Sequence, residues 1–226
     1  MVADFGSFRK VKVIVMIQNI LSPIISYLIG SIPFGFLITK MVKGVDIRQF
    51  GSGNPGATNV GRVLGKPYGI LVFILDMLKG FLPVFLFDRL FSGYGHNLTL
   101  ILCGMGVICG HTFPVFLNFK GGKAAATSCG VFLWLAPLPL IISAAAWLLI
   151  ITISRYISLG SMLSSIVLVV CIILFGKDPF GQGLYLTLFS IFISILLIVR
   201  HKSNIERLLR GTESKIGGKI KSHDLG

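Results

Sequence analysis

Long apolar runs separated by short polar segments dominate the chain. A helix that crosses about 30 Å of hydrocarbon needs about 20 mostly apolar residues. Runs of this kind fall near 17–40, 67–90, 98–118, 122–136, 138–154, 159–175 and 183–200, the fourth and fifth parted only by Pro137-Leu-Pro139. The pattern predicts an all-α integral membrane protein. It is a polytopic bundle of seven transmembrane helices, forming a single membrane domain over 1–226 with no internal repeat. Arg9, Lys10 and Lys12 ahead of the first run give the N-terminus the look of a signal peptide. The apolar stretch from Val13 to Ile38 exceeds an h-region of about 7–15 residues and no A-x-A site follows, so it reads as a retained span. Residues 1–15 read as a dispensable basic extension, with Met16 as an alternative natural start, and 201–226 as a basic cytoplasmic tail.

With seven spans, the loops at 41–66, 119–121 and 155–158 and the tail share one face. All but five of the 21 Lys and Arg residues (Arg9, Lys10, Lys12, Arg89 and Lys177) belong to that face or its adjoining helices. Cytoplasmic loops carry the excess of Lys and Arg, so the N-terminus is expected outside and the C-terminus in the cytoplasm. The three basic residues ahead of the first span oppose this assignment, and the later loops outweigh them.

Composition sharpens the class. Charged residues make up 13% of the chain, about half the share of an ordinary soluble domain. The formal charge of +13 suits anionic headgroups or phosphorylated substrates. Nucleic acid is not expected, because the basic residues sit at span ends. Cys103, Cys109, Cys129 and Cys171 all lie in apolar runs without a C-x-x-C pair and read as reduced packing residues. No metal-ligand spacing occurs, and no cofactor motif survives inspection.

The stretch GSGNPGATNVGR, Gly51–Arg62, fits G-x-G-x-x-G. A dinucleotide site would need a strand before the glycines and a βαβ unit around them, whereas here membrane spans flank the motif. The anion chemistry remains. Glycines let backbone N–H groups converge on an anion at a helix start. Ser52, Asn54, Thr58 and Asn59 add short polar groups, and Arg48 and Arg62 add guanidinium forks suited to phosphate. The structural alternative is a tight loop that caps a helix.

Three further clusters fall on the same face. In GHTFPVFLNFKGGKAAAT, Gly110–Thr127, Lys120 and Lys123 bracket a Gly-Gly bend. His111 reads as a structural hydrogen-bonder or a base. In SRYISLGS, Ser158 and Ser161 share one helix face. In RHKSNIERLLRGTESK, Arg200–Lys215, His201 and Asn204 are placed to reach a cleft at the end of the last span, or else the whole run is a solvated amphipathic segment. Inside the second span, Asp76 and Lys79 stand three apart. A charge at that depth must pair or face the bundle interior, and a structural tie between helices is the favoured reading over an ion path.

Taken in order, GSIPFGFLITK, GSGNPGATNVGR, LDMLKG, GHTFPVFLNFKGGKAAAT, SRYISLGS and RHKSNIERLLRGTE resemble the bacterial acyl-phosphate:glycerol-3-phosphate acyltransferases over roughly Leu28 to Lys215. The resemblance implies a seven-helix enzyme of the bacterial inner membrane with its active site facing the cytoplasm. It implies transfer of a fatty acyl group from acyl phosphate to the 1-hydroxyl of sn-glycerol 3-phosphate. The products are lysophosphatidate and inorganic phosphate, in the first step of phospholipid synthesis, and no cofactor is used. It implies catalytic roles for Ser52, His201 and Asn204, and binding roles for Asn54, Thr58, Asn59, Arg62, Lys120, Lys123 and Ser161. A soluble phosphate acyltransferase is the expected functional partner. The H-x-x-x-x-D motif of other acyltransferases is absent, since Phe116 and Glu206 stand five residues after His111 and His201. Two departures stand out. Ala124 follows GGK where the family often has glycine, and is expected to tighten packing slightly. The N-terminal segment through Val15 is untypical. An organic-phosphate transporter is the competing class, and the lack of a repeat and the one-sided motifs oppose it.

Overall fold

The computed structural model describes residues 5–90 and 96–216. Ten α-helices run through them: α1 Phe5–Gly30, α2 Phe34–Lys43, α3 Ala57–Val63, α4 Lys66–Leu90, α5 His96–Thr112, α6 Ala125–Leu135, α7 Pro137–Ser154, α8 Ile157–Phe175, α9 Leu184–Arg200 and α10 Lys202–Leu209. No strand occurs among the described residues. Among the described residues, five spans are long and apolar enough to cross a bilayer: Gln18–Lys43, taking the later part of α1 with α2, then α4, then Asn97–Leu117, which is α5 with the turn after it, then α7 and α8. A sixth forms if α9 and α10, bent by 55° at His201, count as one, and α6 is a shorter apolar helix. The expected apolar runs therefore coincide with helices, with one difference at each end. Helix α1 already runs from Phe5, so residues 5–15 continue the first helix rather than preceding it. The expected basic tail is folded up to Ile216, and its remainder lies outside the described residues.

The first span is broken. Helix α1 stops at Gly30, α2 starts at Phe34, and Pro33 stands between them without an N–H to continue the ladder. The chain then turns through Gly44, with φ +72, into the glycine loop. Helices α1 and α5 run side by side in the same direction. Thr99 donates to the Asn19 amide oxygen at 2.5 Å near one end, and the Tyr27 hydroxyl donates to the Phe113 carbonyl at 2.8 Å near the other.

Helix α6 packs on α4 at van der Waals limits. A Cβ on Gly130 would lie 1.9 Å from the Met77 carbonyl oxygen, so only glycine permits this approach. Trp134 meets Phe81 and Phe85 edge-on, with centroids 5.9 and 4.9 Å away. Because Thr127 lies against Gly80 and Trp134 against Phe85, α6 begins partway along α4 and runs the same way. Its eleven residues span about 16 Å, half a hydrocarbon core. The polar segment between α5 and α6 thus enters the bundle instead of ending at its edge. Val84, Val107, Ile108, Val131, Phe132 and Phe189 close the core beyond it. A smaller cluster of Ile47, Val60, Val63 and Val72 supports the glycine loop from below.

Candidate active site

The glycine loop is shaped by two asparagines. Gly51 and Gly53 have φ of +58 and +69, a left-handed geometry that side chains resist. Asn59, fully buried on α3, reaches back through the turn. Its Oδ1 accepts from the Ser52 N–H at 2.9 Å, and its Nδ2 donates to the Phe50 carbonyl at 2.9 Å. Asn54 Oδ1 accepts the Gly56 N–H at 2.8 Å, setting up the start of α3. The amides of Asn54 and Asn59 are therefore committed to the loop, while Ser52 and Thr58 lie exposed on its outer side. Arg48 is committed as well. Its guanidinium forms a fork on Asp46, with a shortest contact of 2.7 Å, and lies over the Phe36 ring, leaving Arg62 as the loop's available fork.

The cleft itself forms where α6, α8 and α10 meet. The Lys123 ammonium donates to Asn204 Oδ1, and Asn204 Nδ2 donates to Glu213 Oε1 at 2.6 Å. Ser158 at the start of α8 donates to the same carboxylate oxygen at 2.7 Å, and Arg207 Nε donates to Oε2 at 2.7 Å. Glu213 comes back to this point because Gly211, with φ +69, reverses the chain after α10. The Thr212 N–H bonds the Arg207 carbonyl at 2.8 Å, and Ile216 pairs with Arg155 through N–H to O at 2.8 Å and guanidinium to O at 3.0 Å.

The charges in the cleft feel one another. Burial, and after it the Arg207 guanidinium, pull the Lys123 ammonium down to about 8 against the attraction of Glu213. Arg62 is lowered by burial too, with Glu213 opposing and Arg207 adding to the fall. Burial alone would raise the Glu213 carboxyl, but the hydrogen bonds from Asn204, Ser158 and Arg207 hold it below the usual carboxylate range. The result is one anchored carboxylate among cations that have been partly stripped of water, a setting in which a dianionic ligand is attracted strongly.

His201 sits at the bend between α9 and α10, buried, with Nδ1 on the Leu197 carbonyl at 2.8 Å. A carbonyl only accepts, so Nδ1 carries the proton in the neutral ring and Nε2 is the free base. Ser161 donates to the Ile157 carbonyl at 3.0 Å and receives the Trp147 indole N–H at 3.4 Å, which places it on the α7–α8 seam. Lys120 is exposed on the near side of the Gly-Gly bend, and Arg200 Nη2 donates to the Gly121 and Gly122 carbonyls at 3.1 and 3.3 Å. No group of three or more His, Cys, Asp or Glu side chains suited to a metal occurs among the described residues.

Of the residues singled out in sequence, the structure brings Lys123 and Asn204 into direct contact, with Arg62 within electrostatic reach. Sequence reasoning passed over Glu213, Arg207 and Arg200, which looked like charges on a solvated tail. The available signal was a glutamate two residues after a glycine at the end of a basic helix, where a chain reversal can return it to the cleft.

The family model for glycerol-3-phosphate acyltransferases matches residues 20–211. The chain belongs to that family. A glycerol-3-phosphate acyltransferase of Desulforamulus reducens is 43% identical over 205 residues, covering 91% of this chain and 98% of the relative. The crystal structure of PlsY (YgiH), an integral membrane glycerol 3-phosphate acyltransferase in its glycerol 3-phosphate form, superposes with a TM-score of 0.80 at 41% identity over 88% of this chain and 96% of that one. Its lysophosphatidic acid form gives 0.77 at 39% identity, over 92% and 97%. Membership makes this chain a multi-pass integral membrane enzyme of acyl transfer.

Proposed function

We propose that the protein transfers a fatty acyl group from acyl phosphate to the 1-hydroxyl of sn-glycerol 3-phosphate in the bacterial inner membrane. The observation that carries this reading is the Lys123–Asn204–Glu213–Arg207 cluster, which gathers cations at the helix ends within electrostatic reach of Arg62, just after the glycine loop. Solved relatives with glycerol 3-phosphate and with lysophosphatidic acid fit a site that holds a glycerol phosphate before and after acylation. Lys123 and Arg62 hold the glycerol phosphate dianion, with Lys120 drawing it in from the surface. The glycine loop, through Ser52 and Thr58, receives the donor's phosphate, while Asn54 and Asn59 act by keeping that loop in shape. Asn204 orients Lys123, and Ser161 lines the α7–α8 seam where the acyl chain enters lipid.

In the reaction the 1-hydroxyl oxygen forms a bond to the acyl carbon, and the carbon–oxygen bond to phosphate breaks. Acyl phosphate is an activated anhydride, so its departing phosphate can accept the hydroxyl proton, and no acyl-enzyme is needed. The protein supplies positioning and charge stabilisation, with His201 Nε2 as the alternative proton acceptor. Seven crossings, the fourth made by α6 together with the polar segment that enters before it, put the N-terminus outside and the site toward the cytoplasm, consistent with the bias of basic residues. A soluble phosphate acyltransferase is the source of donor in this scheme.

The test measures phosphate release by purified protein in lipid, given palmitoyl phosphate with and without glycerol 3-phosphate, beside Arg62→Ala. Release that requires glycerol 3-phosphate and collapses in the variant supports the reading. A folded protein that releases none, or releases it equally without glycerol 3-phosphate, rules it out.

A further inference from the structure

Asp76, Lys79 and His111 take no part in the chemistry above, yet Asp76 and Lys79 are buried and His111 nearly so, between the break in the first span and the Gly121–Gly122 bend. Asp76 and Lys79 are only 2% and 4% exposed. Asp76 lies ten residues into α4, about 15 Å along the helix. The Lys79 ammonium bridges the Asp76 carboxylate at 2.8 Å and the Ile32 carbonyl at 2.8 Å, where the first span unwinds. His111 Nδ1 stands 3.5 Å from the same Asp76 oxygen.

His111 in turn carries the Gly-Gly bend. Its carbonyl accepts the Gly122 N–H at 3.0 Å. A Cβ on Gly122 would lie 2.1 Å from His111 Nε2, and one on Gly121 would lie 2.2 Å from the His111 carbonyl oxygen. Both glycines therefore rest directly on this histidine, and Arg200 holds their carbonyls from the other side. The next residue is Lys123. Two charges at this depth are costly, and an apolar contact would tie the helices together at lower cost. An apolar contact could not bind the Ile32 carbonyl, nor orient an imidazole under a glycine bend.

We propose that Asp76, Lys79 and His111 are positioning residues for glycerol 3-phosphate: a buried relay from the break in the first span that sets the Gly121–Gly122 bend and thereby the place of Lys123. The relay rests on the reading of Lys123 as a ligand of the glycerol phosphate. Its effect is expected on glycerol 3-phosphate rather than on the donor, whose phosphate is assigned to the loop after Gly51.

The experiment compares His111→Gln and the charge-neutral pair Asp76→Asn with Lys79→Gln against the unmodified enzyme in lipid, titrating each substrate in turn. The expected result is a KM for glycerol 3-phosphate raised about tenfold, with kcat and the donor KM within about twofold. A folded variant with an unchanged KM for glycerol 3-phosphate overturns the proposal, as does an equal rise for both substrates or a fall in kcat alone. A second measurement needs no variant. In histidine-labelled protein, saturating glycerol 3-phosphate must shift the His111 ring signal, and an unmoved signal alongside normal turnover overturns the relay. Unmodified protein that turns over nothing would instead remove the function on which the relay rests.

Discussion

Asn204 and Glu213 meet at 2.6 Å, Nδ2 to Oε1, across the reversal at Gly211. Through this contact a segment with the composition of a solvated basic tail becomes a wall of the cleft. The same carboxylate also holds Ser158 on α8 and Arg207 on α10. Replacing Glu213 with Ala leaves an amide, a hydroxyl and a guanidinium without their acceptor. Stranding buried donors and a charge in this way costs about 2–4 kcal/mol. Glu213→Ala should lower the melting temperature in detergent by several degrees and abolish turnover. Glu213→Gln keeps one acceptor oxygen and should lose about half as much stability. Equal melting temperatures for Glu213→Ala and the unmodified protein would show that the segment is not anchored there.

Lys123 supplies a pH signature. Its ammonium, ordinarily near 10.5, is brought down to about 8 by burial and by Arg207. In the free enzyme the positive charge is therefore complete below about 8 and lost above it. Binding of glycerol 3-phosphate should weaken as pH rises through 8, so its KM should climb while the KM of the donor stays flat. Lys123→Arg should remove that limb, because a guanidinium stays charged. The linkage to stability has the opposite sense. Between about 8 and 10.5 the unfolded chain binds more protons at this lysine than the folded one, so stability without ligand rises with pH over that window. Lys123→Met should not show this rise. A KM that is level from pH 7 to 9 would argue against a lysine titrating in the binding step.

The spans and the chemistry were legible in sequence because both depend on local composition. Twenty-residue apolar runs and the glycine, lysine and asparagine clusters need no tertiary information. Depth was not legible. Nothing local in FKGGK indicates that α6 starts halfway across the bundle, since this follows from Gly130 fitting against Met77. Partnership was not legible either. Arg48 and Arg62 look alike as phosphate forks, and only the turn after Gly44 brings Asp46 onto Arg48. The Asp76–Lys79 pair was expected as a helix tie, but His111 and the Ile32 carbonyl come from spans that are distant in sequence.

Asn59 separates loop shape from ligand binding. Its amide donates to Phe50 and accepts from Ser52, and it is 1% exposed. Asn59→Ala removes these bonds, and a longer one to the Ile47 carbonyl at 3.4 Å, from a buried turn, at about 2–3 kcal/mol. Asn59→Asp keeps the acceptor for Ser52 but sets a carboxylate against the Phe50 carbonyl, and should be at least as damaging. Thr58→Ala, on the exposed side of the same loop, should leave the melting temperature within a degree or two while raising the donor KM. If Asn59→Ala melts like the unmodified protein and changes only a KM, the asparagine is a ligand and not a scaffold.

Ala124 decides how the Gly-Gly-Lys segment enters α6. Extra packing was the expected effect of alanine at a position where the resembling family often has glycine. The structure shows that packing, with Ala124 buried in the core, and a backbone effect beside it: Ala124 sits at φ +60, ψ +9, in the left-handed region, as the cap of α6. Relieving that geometry with glycine gains about 1–2 kcal/mol. The gain is offset by about 0.8 kcal/mol for a buried methyl and about 0.4–1 kcal/mol for the extra freedom of glycine in the unfolded chain. The terms nearly cancel, which explains why either residue serves. Ala124→Gly should therefore shift the melting temperature by no more than a few degrees and leave both KM values unchanged. A β-branched side chain has no comparable route into this region. Ala124→Val should destabilise the protein by about 2–3 kcal/mol, or move the cap out of the left-handed region and displace Lys123. The displacement would be read as a rise in the KM for glycerol 3-phosphate alone. A valine variant as stable and as active as the alanine protein would mean that α6 begins with a different backbone geometry.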